Sequence, residues 1–166
     1  AVPSPRAVGT PPLVARAPQA LSRETPVTEI RVGVVDVYVV RNTGRRWRVL
    51  ALQRAADTRC PGSLEAVHGR IEPGETPSVA AVRELREETG LTPERLYSVT
   101  VNPFYLAALD TIQLAVVFCA FVDSDEVKTA EEHQAHEWLT AAQVAKRFTW
   151  PRATDVLAHI TKLLHT

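Results

Sequence analysis

Apolar residues, valine above all, dominate the stretch from Val27 to Val40, with Tyr38 among them; Asn42-Thr43-Gly44 then precedes a second apolar-rich run, Trp47 to Gln53. β-branched and aromatic runs separated by turn formers predict two strands joined as a hairpin. Gly33 inside the first strand marks a bulge or a close backbone approach. A loop from Ala55 to Gly62 leads to a short strand, Leu64 to Val67. Two more strands are expected at Leu96 to Val101 and Thr111 to Val122, with Asn102-Pro103 and Asp110 as breaks between them. The second is almost wholly apolar from Ile112 onward, as in a strand covered on both faces. Asp123 to Glu132 holds five acids and reads as a loop.

Helical periodicity appears three times. Thr76-Pro77 provides a capping hydroxyl and a proline at the first helical position, and Gly90 closes that helix. Within it Val82 and Leu85 point to one side, while Glu84, Glu87 and Glu88, at i, i+3 and i+4, fall on the other, predicting one core face and one acidic face. Thr140-Ala141-Ala142-Gln143 is a capping box. A last helix is expected from Pro151, where Val156, Leu157, Ile160, Leu163 and Leu164 form an apolar stripe that should pack on the sheet.

Composition narrows the function classes. A chain of 166 residues makes one domain, long enough to bury roughly 70% of its unfolded surface without a staple. Its formal net charge of zero argues against a general nucleic-acid binder, which needs a basic surface to neutralise phosphates. The one local basic group, Arg45-Arg46-Trp47-Arg48, reads as a solvated turn and strand face. No apolar run reaches the length of a membrane span. Cys60 and Cys119 offer neither metal-ligand spacing nor a disulfide framework, so a cytoplasmic setting is expected. Residues 1–26 hold six of the twelve prolines and predict an extended arm or tail rather than a secretory signal, with the folded domain spanning 27–166.

The chemistry concentrates between Gly69 and Leu91. Like charges at i, i+3 and i+4 cost an exposed helix only about 0.2–0.5 kcal/mol per pair, so the three glutamates alone are compatible with an ordinary solvated face. The wider spacing is more informative: Gly69, five residues, Glu75, seven residues, Arg83-Glu84-Leu85, one residue, Glu87-Glu88, one residue, Gly90-Leu91. At ordinary residue frequencies, seven such non-aliphatic positions coincide less than about once in ten million starting points. In every position this pattern resembles the Nudix box, and the resemblance covers residues 27–164.

That resemblance implies an α/β (α+β) Nudix fold, a mixed sheet sandwiched between helices, and hydrolysis of a nucleoside diphosphate linked to some group X. It implies Mg²⁺ as the cofactor, with Mn²⁺ as an alternative, since hard cations take oxygen ligands beside phosphates. By position, Glu87 and Glu88 become metal ligands, Glu84 a third ligand or the general base, and the His68 backbone carbonyl a further ligand. Gly69, Glu75, Arg83 and Gly90 become structural parts of the box, Glu75 and Arg83 tying loop to helix. Glu132, in Glu132-His133 followed by Trp138-Leu139, is the outside candidate for metal assistance or base. Arg54 is a candidate for substrate phosphate, and Phe104 and Tyr105 for the substrate's ring; His133 and His136, read as exposed loop histidines, are set aside.

Among substrates, the pattern is similar to the dihydroneopterin triphosphate and dNTP pyrophosphohydrolase group, through Val67-His68-Gly69, Glu132-His133, Trp138-Leu139 and Thr149-Trp150. The proline placement of ADP-ribose members is missing, the tyrosine of dinucleoside polyphosphate members falls slightly off at Tyr105, and the coenzyme A pattern is absent. Release of pyrophosphate from a (d)NTP or dihydroneopterin triphosphate is thus the expected activity, with dinucleoside polyphosphates, ADP-ribose or nucleotide sugars as alternative substrates. A nucleotide-sensing binding module would normally have lost one of Glu84, Glu87 and Glu88, and none is lost. Expected partners are a small phosphoanhydride substrate, with no nucleic-acid polymer and no membrane, the chain acting as a monomer or homodimer.

Overall fold

The computed structural model describes residues 27–44 and 46–164; the proline-rich arm expected over 1–26 lies outside them. Seven strands form one mixed sheet: β1 (Glu29–Asn42), β2 (Trp47–Arg54), β3 (Leu64–Glu65), β4 (Val67–Arg70), β5 (Arg95–Leu106), β6 (Thr111–Phe121) and β7 (His133–Leu139). The helices are α1 (Pro77–Thr89), α2 (Ala141–Arg147) and α3 (Arg152–Leu164), with a 3₁₀ turn at Ala107–Leu109. Along the main path the strand order is β3-β2-β1-β6-β5, with β4 beside β1 and β7 beside β2.

β1 organises the sheet. One edge pairs in parallel with β6; the other pairs first with β4, from Val34 to Val37, and then with β2, from Val40 to Asn42. This change of partner splits the expected strand Leu64 to Val67 in two, because β3 pairs with β2 while β4 pairs with β1. Alternation along β1 feeds two cores. Val35, Val37 and Val39 meet Ala80, Ala81 and Leu85 of α1. Tyr38 and Val40 meet Val144 of α2 and Val156, Leu157 and Ile160 of α3. The sheet is therefore sandwiched between helices, as expected.

Two expectations change. Asn102-Pro103 does not break the chain; β5 continues to Leu106, with Pro103 opposite Leu114. β5 is the edge strand, where a proline forfeits no ladder bond on its open side. The stretch after the acidic loop holds an additional strand, β7, whose largely polar and exposed sequence is ordered by pairing with β2 from Val49 to Arg54. No described helix is long and apolar enough to cross a membrane.

Local signals set α1 in place. The Thr76 hydroxyl accepts from the Val79 N–H, Pro77 opens the helix, and Gly90 ends it at φ 72°, donating its N–H to the Arg86 carbonyl. The division into a core face and an acidic face is corrected: Val82 is only half-buried, and Glu88 is buried alongside Ala81 and Leu85. Burying Leu85 contributes about 1.5–3 kcal/mol, whereas an ionised carboxylate in the same layer costs several kcal/mol. Packing alone does not account for Glu88.

Candidate active site

Gly69 and α1 bring the box together. A Cβ at position 69 would overlap the Glu84 carboxyl group, so only glycine lets β4 and the helix approach with that side chain between them. Arg83 then gathers the outer acids. Its Nε and Nη2 donate to the two oxygens of Glu75 at 2.8 and 2.9 Å, and Nη2 also donates to the Arg70 carbonyl at 2.8 Å. Its Nη1 donates to Glu84 at 2.8 Å and Glu87 at 3.1 Å. Hydrogen bonds from Arg83 and from the Glu72 N–H hold the Glu75 carboxyl down at about 2. Arg83 thus links Glu75 of the loop and the Arg70 carbonyl of β4 to the helix.

Glu88 lies on the inner side of the helix, 5% exposed. Burial, followed by the charges of Glu84 and Glu132, pushes its carboxyl up to about 9, against an opposing hydrogen bond from the His68 backbone N–H. Its Oε2 has no hydrogen-bond partner among the described residues. His133 stands 3.9 Å from that oxygen through Nδ1 and 3.8 Å from Glu65 through Nε2. These are charge-pair distances, longer than hydrogen bonds. His133 is accordingly buried on β7, which corrects its reading as an exposed loop residue.

The acidic loop reaches this site through backbone bonds to the end of α1: Lys128 N–H to the Thr89 carbonyl and Ala130 N–H to the Glu88 carbonyl. Glu132 follows, its carbonyl accepting from the Ala55 N–H at 2.8 Å and its carboxylate standing 3.7 Å from Arg54. Arg54 also donates to Glu65 at 2.8 Å. Burial would raise the Glu65 pKa, but His133, Arg54 and the Trp150 indole hold it below the usual carboxylate range. Arg54 is therefore no free surface cation; it is the counter-charge that joins Glu65 and Glu132.

Glu84, Glu88, Glu132 and Arg54 lie near one another, with the His68 backbone at Glu88, while Glu87 turns outward to Arg83. Tyr105 does not join them. Phe104 turns toward Arg152, while Tyr105, next along the strand, projects from the opposite face and donates to Asp110 at 2.8 Å. Glu65, His133, Asp36, Trp150 and Arg152 are additional polar neighbours. Asp36 had a sequence signal as a lone acid in a valine-rich strand, and His133 and Trp150 stood in the pairs Glu132-His133 and Thr149-Trp150; strand pairing places Glu65 and His133, whereas Trp150 and Arg152 come from the approach to α3 and its first residue.

The donor set suits a hard divalent cation. It consists of carboxylate oxygens, crowded around the buried Glu88 carboxyl, whose second oxygen is unpaired. Arg83 is the cation that Glu84 and Glu87 share in this arrangement. Among the described residues, no three His, Cys, Asp or Glu side chains already stand in a coordinating group.

A loop–helix box of this composition is laid against a mixed sheet between helices. The NUDIX domain family model matches residues 30–160, and the chain belongs to that family. An 8-oxo-dGTP diphosphatase from Escherichia coli (strain K12) is 43% identical over 60 residues, 36% of this chain and 45% of that protein. An octanoyltransferase from Myxococcus xanthus is 31% identical over 130 residues, 76% of this chain and 36% of that protein. The chain thus spans less than half the length of these curated relatives. A C. elegans Ap4A hydrolase, solved as a binary complex, superposes with a TM-score of 0.66 at 22% identity, covering 80% of this chain and 96% of that one. This last likeness speaks to the fold alone.

Proposed function

We propose that the chain is a divalent-metal-dependent pyrophosphohydrolase that cleaves a nucleoside or deoxynucleoside triphosphate, or dihydroneopterin triphosphate, and releases pyrophosphate. The observation that carries this reading is the burial of Glu88 among Glu84, Glu132 and Glu65, which pushes its carboxyl up to about 9. Such crowding is hard to explain as packing and is what a cation-binding phosphate site requires. The dNTP chemistry in the name of the E. coli relative supports the same substrate class.

Glu87 and Glu88 are the ligands in this proposal, with Glu84 and the His68 carbonyl beside them and Mg²⁺ or Mn²⁺ as the ion. When bound, the ion neutralises phosphate charge and lowers the pKa of water. The protein's own part is positional. Arg83 anchors the outer acids, and Arg54 holds Glu132 by charge at 3.7 Å. Glu84 and, exposed beyond Arg54, Glu132 are the two candidates to accept a proton as a water oxygen bonds to phosphorus and the bond to pyrophosphate breaks.

A panel of dNTPs, dihydroneopterin triphosphate, dinucleoside polyphosphates and ADP-ribose, assayed with Mg²⁺ and with Mn²⁺ for phosphate and pyrophosphate, tests the proposal. Pyrophosphate from a triphosphate is the expected product. Binding without turnover across the panel would point instead to a nucleotide-sensing module.

A further inference from the structure

Asp36, His68, Phe104, Trp150 and Arg152 form a second cluster beside the box. The Arg152 guanidinium carbon lies 5.4 Å from the Phe104 ring centroid and 5.5 Å from that of Trp150. Behind it, Asp36 Oδ2 stands 3.7 Å from Arg152 Nε, and Asp36 Oδ1 lies 2.6 Å from His68 Nδ1. Asp36 is 4% exposed, while the Arg152 side chain retains 29% exposure. A buried acid thus stands at ion-pair distance behind a guanidinium that still reaches the surface beside two half-buried rings.

Other polar atoms share this face of the sheet. Phe104 pairs with Gln113 and Asn102 with Ala115 on β6, while Ala115 and Val117 pair with Val34 and Asp36 on β1. Alternation places all of them on one side. Asp36 Oδ2, Asn102 Nδ2 and Gln113 Oε1 are buried there without hydrogen-bond partners among the described residues. Polar atoms buried without partners are few in folded proteins and call for an explanation. The patch is continuous with the box, because the Trp150 indole donates to Glu65 at 3.4 Å and His68 offers its backbone N–H to Glu88.

We propose that Arg152 determines specificity for the substrate's ring system, selecting a ring that presents a carbonyl oxygen beside an unprotonated ring nitrogen. Asp36 is its positioning residue, and Phe104 and Trp150 flank the planar ligand. The inference rests on the pyrophosphohydrolase reading and deepens it. A guanidinium has only donors, arranged in a rigid fork, so it demands paired acceptors. Guanine offers O6 and N7, and a dihydropterin offers O4 and N5. Adenine sets a donor beside N7, and 8-oxoguanine carries a proton on N7, so each spoils the pairing. The flanking aromatic rings favour a planar partner over a tetrahedral phosphate.

Calorimetric titration of the protein with GMP, AMP, UMP, 8-oxo-GMP and dihydroneopterin, compared with Arg152→Gln and Arg152→Lys, tests this. GMP should bind about tenfold tighter than AMP or 8-oxo-GMP. Both variants should bring those affinities within about twofold and leave UMP unchanged, Arg152→Lys because a point charge lacks the fork. In turnover, the variants should raise KM for GTP and dihydroneopterin triphosphate with little change in kcat. Melting curves report whether each variant folds, and the wild-type ranking needs no variant. The inference falls if the wild type does not prefer GMP, if 8-oxo-GMP binds more tightly, or if the variants weaken every ligand by one factor, as loss of a phosphate contact would. A GMP preference without hydrolysis of any triphosphate would overturn the pyrophosphohydrolase reading and leave this one standing. Tighter binding of dihydroneopterin than of GMP would support Arg152 selection with the pterin as the natural ring.

Discussion

The outer and inner sides of α1 handle acid in opposite ways. On the outer side, Glu75 and Glu87 hydrogen-bond to Arg83 within 3.1 Å, and Glu84, tucked against Gly69, shares the same guanidinium. On the inner side, Glu88 is buried with an unpaired oxygen, and its histidine neighbour stays at 3.9 Å. Adjacent residues on one helix, Glu87 and Glu88, belong to different sides; the Glu87 side chain is 58% exposed. Saturated charges stiffen a loop, whereas a buried and under-paired carboxyl is tolerated for what it can bind.

The largest effect should come from removing acids at this divide. Glu87→Gln and Glu88→Gln should each lower turnover about a thousandfold with far-UV circular dichroism unchanged. Near-normal rates in either variant would remove it from the ligand set. Glu132→Ala, assayed beside them, should slow the reaction less, by about ten- to a hundredfold; a loss as large as theirs would make Glu132 the principal base.

Gly69→Ala probes the seam between the two sides. The added methyl overlaps the Glu84 carboxyl, so the helix or the side chain must shift, at about 1–3 kcal/mol. Denaturant titration should record that loss together with a fall in activity. Unchanged stability would mean that Glu84 moves aside freely.

The smallest effect is a pH dependence confined to the saturated side. Glu75 titrates well below an unfolded glutamate, at about 2, because Arg83 and the Glu72 N–H bond its ionised form. Its stabilising contribution is therefore present above the unfolded pKa and lost as pH falls through the range from about 4.5 toward 2. Melting temperatures of the wild type and Glu75→Gln should converge across that acid window. A constant gap between them would mean that the Glu75–Arg83 pair is not the source.

Much of the fold was legible in the chain. Turn formers between valine-rich runs marked the hairpin, and Thr76-Pro77 and Gly90 bounded α1 as they do in the structure. Strand β7 was not legible, since HQAHEWL carries little apolar alternation and is ordered by the edge it pairs with. Pro103 misled because its cost depends on which strand ends the sheet. The outer acids and their arginine could be placed from spacing along one helix, but Arg54, Glu65 and His133 come from three strands. No local pattern predicts that they meet.

The sequence by itself determined the spacing of the carboxylate box and its helix caps, because those depend on contacts within a loop and one helix whose geometry is fixed by a period of 3.6 residues. Only the tertiary structure decided which glutamate was buried, that His133 lay between Glu65 and Glu88, and that Asp36 stood behind Arg152. Burial and charge pairing depend on distances between segments far apart in the chain, and β1, by pairing with β4 and β2 on one edge and β6 on the other, sets those distances.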